Sequence, residues 1–255
     1  VTDSIDPWDR LRELTRARIG LRRAGNAVST REVLRLRTDH AAARDAVHTP
    51  LDVAEVTAGL TGLGLGPPVI VTSRARSRAE YLRRPDLGRQ PSTLEAIDRS
   101  GADIGLVVAD GLSATAVHIH AIALVRAVIH ALRPDYTIAP PVVATQARVA
   151  LGDHLGARLG VTTLLMIIGE RPGLSVADSL GIYLTHRPRP GRLDAERNCI
   201  SNIHPPDGLG YPAAARTARA LVDGARQLGV SGVALKDNTA GTAEVFGRAL
   251  PALGE

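Results

Sequence analysis

Aromatic side chains are nearly missing from this chain: Trp8, Phe246 and four tyrosines make up 2% of its 255 residues. The core must be built from Val, Leu, Ile and Ala. A hydrophobic share of 44% is enough for a full core, in one large domain or one domain plus an appendage. The scarcity of rings also disfavours a binder of single-stranded nucleic acid, which needs platforms for bases to stack on. Lysine is scarcer still: Lys236 is the only one, so arginine carries the net charge of +5. A basic balance invites a polyanionic partner. No block of like charge occurs, however, and the arginines alternate with Glu and Asp as on solvated helix faces. Cysteine is reduced to Cys199, and a single thiol closes no internal disulfide, which points to a reducing compartment. No apolar run reaches the ~18 residues of a membrane span. Val1-Thr2-Asp3-Ser4 shows no basic-then-apolar leader. The expectation is a soluble cytoplasmic protein.

Several familiar chemistries lack their residues. His118 and His120 would point about 200° apart on a helix and cannot share a metal. The other histidines are scattered, and no His/Glu or Cys/His spacing suits zinc. There is no Gly-x-Ser-x-Gly elbow and no Walker loop. Gly62-Leu63-Gly64-Leu65-Gly66 has the look of a dinucleotide fingerprint, but it precedes the strand Val69-Ile70-Val71-Thr72 instead of following one. Cys199 as a nucleophile would need a base beside it, and His204, five residues on, does not establish one. A small buried hydrophobe is the simpler role for a lone cysteine.

What the chain has is a long alternation of strands and helices. Residues 6–64 read as helical, with a capping box at Ser29-Thr30-Arg31-Glu32 opening a helix to about His48. From residue 67, strands are expected at Val69–Thr72, Ile104–Ala109, Val142–Thr145 and in the run ending at Glu170. Leu180–Thr185 reads as an edge strand and Asn198–Ile203 as a further strand. Helices are expected from a capping box at Ser92-Thr93-Leu94-Glu95 to about Ser100, from Ser113 to Leu132, over 149–159, and from Pro212 to about Gln227. The implied fold is α/β, a Rossmann-like, mainly parallel sheet with helices on both faces, preceded by a small all-helical N-terminal domain. The expected domains are residues 1–64, an α/β domain over 65–230 and a variable tail over 231–255.

Two turns stand out for chemistry. Ile168-Gly169-Glu170-Arg171-Pro172-Gly173 delivers a carboxylate to the carboxyl end of a buried strand, where ligands of open α/β sheets sit. Asp110-Gly111-Leu112-Ser113 lies at a strand-to-helix turn; its backbone N–H groups could receive a polar ligand, or it could serve only as turn and cap.

An ordered set of segments resembles one family. They are Arg18-Ile19-Gly20-Leu21 with Arg23-Ala24-Gly25, Asp39-His40, Tyr81 to Arg89, Asp110 to Ser113, Gly169-Glu170-Arg171-Pro172-Gly173-Leu174, and Cys199-Ile200-Ser201-Asn202-Ile203-His204. Together, over about residues 15–227, they resemble the small (light) subunit of ethanolamine ammonia-lyase. That resemblance implies an adenosylcobalamin-dependent lyase that turns ethanolamine into acetaldehyde and ammonia. It also implies a TIM-barrel large subunit that carries substrate and radical chemistry, in a hetero-oligomer housed in the cytoplasm or in a bacterial microcompartment. The small subunit would cover the cofactor at the subunit interface. The cobalamin contacts implied fall on Val149, Glu170 and Cys199, none of them catalytic. A carboxylate would accept from the corrin's amide fringe, and Val149 and Cys199 would meet its apolar parts. The Asp-x-His motif with which some cobalamin carriers ligate cobalt is absent, which suits a partner touching the ring's edge. The competing readings are a free-standing nucleotide-binding α/β enzyme and an arginine-driven nucleic-acid binder. The first expects a glycine loop after the first strand, where Ser73-Arg74-Ala75-Arg76 stands instead.

Overall fold

A computed structural model describes residues 7–237 except 16 and 22; the residues of the expected tail beyond 237 lie outside that range. The N-terminal portion is not all helical. After α1 (Pro7–Arg12) comes a small antiparallel hairpin, β1 (Arg23–Ala24) and β2 (Ala27–Val28). Gly25 turns it with φ +61°, a backbone value open to glycine at little cost. Then α2 (Thr30–His48) starts at Ser29, whose hydroxyl accepts the Glu32 N–H, and buries only Ala43 and Ala46. Next, α3 (Val53–Thr61) starts at Asp52, which accepts from the Glu55 N–H at 2.9 Å. Its Val56 and Leu60 enter the main core.

The sheet has six strands: β3 (Val69–Thr72), β4 (Ile104–Ala109), β5 (Val142–Thr145), β6 (Thr163–Gly169), β7 (Leu180–His186) and β8 (Asn198–Ile203), in the order β3-β5-β4-β6-β7-β8. The first four in that order pair in parallel; β7 runs antiparallel to β6, and β8 to β7. The sheet is therefore mixed, which corrects the Rossmann-like, mainly parallel expectation. The edge strands are β3 and β8, and β7, expected at the edge, is internal. The cause is the link from β6 to β7, which carries no helix. A parallel return needs a crossover, usually helical, so the chain can only come straight back.

The helices fall where the apolar periodicity puts them. After β4, α5 (Ala114–Leu132) packs with α3 and α7 (Tyr211–Leu228) over one sheet face, where Leu124, Leu165, Ile182 and Leu221 meet. After β5, α6 (Leu151–Leu159) covers the other, with Ile97, Leu155 and Met166. α5 is long and apolar enough by composition to cross a membrane, with a mean hydropathy of 1.5 over an 18-residue window, yet half of that window is buried in this core. Its length and apolarity serve the fold's interior. A short α4 (Arg78–Arg83) sits before β4. No helix forms at Ser92–Ser100. There the Thr93 hydroxyl accepts the Glu95 N–H two residues on, closing a local turn, and Pro91 is bridged to Ser73 beside β3. Local side-chain bonds of this kind compete with helix.

Candidate functional site

The carboxyl ends of β4, β5 and β6 share one rim, and the antiparallel pair extends it with the start of β7 and the end of β8. A cleft of about 410 Å³ opens there, lined among others by Tyr81, Leu112, Val149, Glu170, Tyr183 and Ser201. A larger hollow of about 740 Å³ lies between Arg12 in the N-terminal portion and the end of β8, beside Asn202 and Asp207, and does not reach β4, β5 or β6. The rim cleft is the stronger candidate because ligands of open sheets gather at strand carboxyl ends.

Glu170 follows β6 directly, with its own N–H bonded to the Ser179 carbonyl at 3.0 Å. Its carboxylate is a knot. One oxygen accepts from the Ser179 hydroxyl at 2.8 Å and the Asn202 N–H at 3.2 Å; the other accepts from the Ser201 hydroxyl. Three of roughly four acceptor positions are thus taken internally. The knot explains why β7 and β8 hold their ends at this rim.

Val149 lines the same cleft on the β5 side. Cys199 lies one strand further out, exposed, and registers opposite Tyr183, which forms part of the lining. Desolvation pushes the Cys199 thiol up, the Glu170 carboxylate adds to this, and a hydrogen bond with Tyr183 opposes it. The sulfur therefore stays protonated and is unsuited to nucleophilic attack. Tyr183 is likewise held neutral, first by burial and then by Cys199 beside it. Val149 and Glu170 thus share one cleft, and Cys199 flanks it.

The Asp110 turn is occupied by structural bonds. Asp110 is buried, and its carboxylate accepts the N–H groups of Gln146 at 2.8 Å and Ala147 at 3.0 Å, with Arg78 Nη1 at 3.4 Å. Ser113 caps α5 by accepting the Ala116 N–H. Within the turn, the Asp110 N–H goes to the Ala144 carbonyl, that of Leu112 to Gly169 and that of Ser113 to Asp110. Of the two roles open to this motif, turn and cap is the one adopted.

Sequence reasoning missed Tyr81, Tyr183 and Ser201 as cleft residues. Tyr81 is fully buried, donates its hydroxyl to the Ala147 carbonyl at 3.0 Å, and lies between the guanidiniums of Arg78 at 4.8 Å and Arg148 at 4.4 Å. For Ser201 the signal was strand alternation. Cys199 and Ser201 are two apart and so share a face of β8.

Comparison with known proteins agrees with the resemblance. The family model described as ethanolamine ammonia-lyase light chain (EutC) matches residues 5–236. The chain is 57% identical to the ethanolamine ammonia-lyase small subunit of Rhodococcus erythropolis over 246 residues, covering 96% of each chain. It is 50% identical to the Bradyrhizobium diazoefficiens small subunit, covering 94% of this chain and 95% of that one. Against the Ralstonia nicotianae small subunit the figures are 48% identity, 92% and 90%. With the match running through hairpin, sheet and rim alike, this chain belongs to the ethanolamine ammonia-lyase small-subunit (light-chain) family.

Proposed function

We propose that this chain is the small subunit of an adenosylcobalamin-dependent lyase that converts ethanolamine to acetaldehyde and ammonia. In this reading it covers one border of the cofactor, and a barrel-shaped large subunit holds the substrate and the other side. The observation that carries the reading is the rim cleft, where Val149 and Glu170 meet in a chain of this family.

The residues present fit such a cofactor. The corrin border carries neutral amides, and Glu170 keeps an acceptor position free beyond its three internal donors. Val149, Leu112 and Ile168 give the cleft an apolar wall, Tyr183 and Ser201 add a half-polar one, and Cys199 stands beside it opposite Tyr183. A volume of about 410 Å³ is too small to enclose a corrinoid, so this chain would grip an edge and leave the rest to its partner. When bound, the cofactor supplies the radical chemistry. The chain's own part is to orient that edge and to exclude water from it. No group here needs to move a proton, and the protonated Cys199 is consistent with that. The subunit would work in the cytoplasm, within a microcompartment where the organism builds one, without nucleic acid or membrane as partner.

The test is reconstitution. Ammonia release from ethanolamine with adenosylcobalamin is expected only when this chain and a large subunit are combined. Full activity of the large subunit alone would overturn the proposal.

A further inference from the structure

The turn Asp110-Gly111-Leu112-Ser113 touches both loops that carry the cleft's proposed contacts. Toward β5, the Asp110 carboxylate holds the N–H groups of Gln146 and Ala147, just ahead of Val149. Gln146 is kept at φ +53°, a left-handed backbone that a non-glycine residue adopts only when its surroundings impose it. Toward β6, the Leu112 N–H donates to the Gly169 carbonyl at 2.9 Å, next to Glu170. The Ser113 hydroxyl donates to the Ala177 carbonyl at 2.9 Å, within the loop that follows. Close approach makes this possible. Gly111 has φ +53°, and a Cβ there would stand 2.2 Å from the Gly169 oxygen. A third tie comes from Arg78, which donates to the Gly111 carbonyl at 2.9 Å and to the Val47 carbonyl at the end of α2 at 2.6 Å.

A carboxylate this deeply buried is costly to desolvate, and burial pushes the Asp110 pKa up. A merely stable turn would not need it. What the charge gives is geometric: two acceptor oxygens, 2.8 and 3.0 Å from successive backbone N–H groups.

We propose that Asp110 is a positioning residue for the cofactor cleft: its carboxylate sets the 146–149 loop so that Val149 faces Glu170, whose loop the same turn holds through Gly169 and Ala177. This rests on the cofactor reading above. Asparagine cannot substitute, because its amide nitrogen would face a backbone N–H and the Arg78 cation would lose its counter-charge.

The experiment uses the complex of this chain with the large subunit. Adenosylcobalamin Kd is measured by spectrophotometric titration, beside KM for ethanolamine and the melting temperature. Asp110→Asn is expected to raise the cofactor Kd by about tenfold or more and to leave the ethanolamine KM within about twofold. Arg78→Gln, which removes the cation beside Asp110 together with its ties to the Gly111 and Val47 carbonyls but leaves the Asp110 carboxylate and its two backbone partners in place, should raise Kd by a smaller factor. Leu221→Ala, a core change in α7 away from the rim, should lower the melting temperature and leave Kd unaltered. An unaltered Kd in Asp110→Asn overturns the proposal, as does an equal loss of affinity in Leu221→Ala. Should Asp110→Asn fail to fold, an unaltered Kd in Arg78→Gln overturns it. A wild-type complex that binds no adenosylcobalamin overturns the cofactor reading and this role with it; binding by wild type with no change in the variants overturns this role alone.

Discussion

Glu170 has one observed role and one proposed, and substitution separates them. As a knot it accepts from Ser179, Ser201 and Asn202; as a ligand contact it would offer the position left over. Glu170→Gln removes the charge from all three bonds and obliges the Ser201 hydroxyl to turn from donor to acceptor. The expected stability loss is about 1–3 kcal/mol by denaturant titration, with weaker retention of adenosylcobalamin in the complex. Ser201→Ala is the informative companion, since it frees an acceptor and costs less. Loss of stability without loss of cofactor would confine Glu170 to the knot. How legible these residues were differs by residue. Glu170 stood out because an apolar run ended on it and a Pro-Gly turn followed. Val149 and Cys199 carried no chemical signal of their own and were named only through the family resemblance. Asp110 was visible as a turn residue, but its two backbone partners lie 36 and 37 residues away, a distance that local spacing cannot bridge.

At the scale of elements, serine and aspartate caps were the most dependable marks. Ser29, Asp52 and Ser113 each start a helix by accepting an N–H three residues on. Ser113 does more, since its hydroxyl also donates to the Ala177 carbonyl. Ser113→Ala should therefore cost about 2 kcal/mol and Asp52→Ala about 1 kcal/mol in chemical denaturation; equal costs would mean the Ala177 bond adds nothing. The failures are equally physical. Ser92-Thr93-Leu94-Glu95 has the letters of a capping box, but Thr93 closes a two-residue turn and Pro91 is tied to Ser73. Gly25-Asn26 falls inside the stretch expected to be helical, although glycine-asparagine between two short segments is a hairpin signal. The direction of β7 was readable from the link before it, which is shorter than the dozen or so residues a parallel crossover needs; alternation alone says nothing about direction.

For the whole molecule, buried histidines set the acid limit. Burial, then three nearby arginines, lowers the pKa of His186 below 6.5; burial does the same for His120, against the opposing pull of Asp178. The unfolded chain therefore binds protons that the folded chain refuses. Their stabilising share is complete above pH 6.5 and is lost as pH falls through the lowered folded values. Melting temperature should fall on acidification from pH 7.5 to 5, and His186→Gln should flatten that fall. A profile level across this range would exclude the mechanism.

Each parallel strand must be joined to the next by a segment that crosses the sheet, and that segment normally lies over one of its faces. β7 and β8 escape this requirement because each simply doubles back. On the side of Tyr183, Cys199 and Ser201 no crossover helix is obliged to lie, and Cys199 and Ser201 are exposed there. Topology thus leaves a bare shelf beside the rim without any special surface composition.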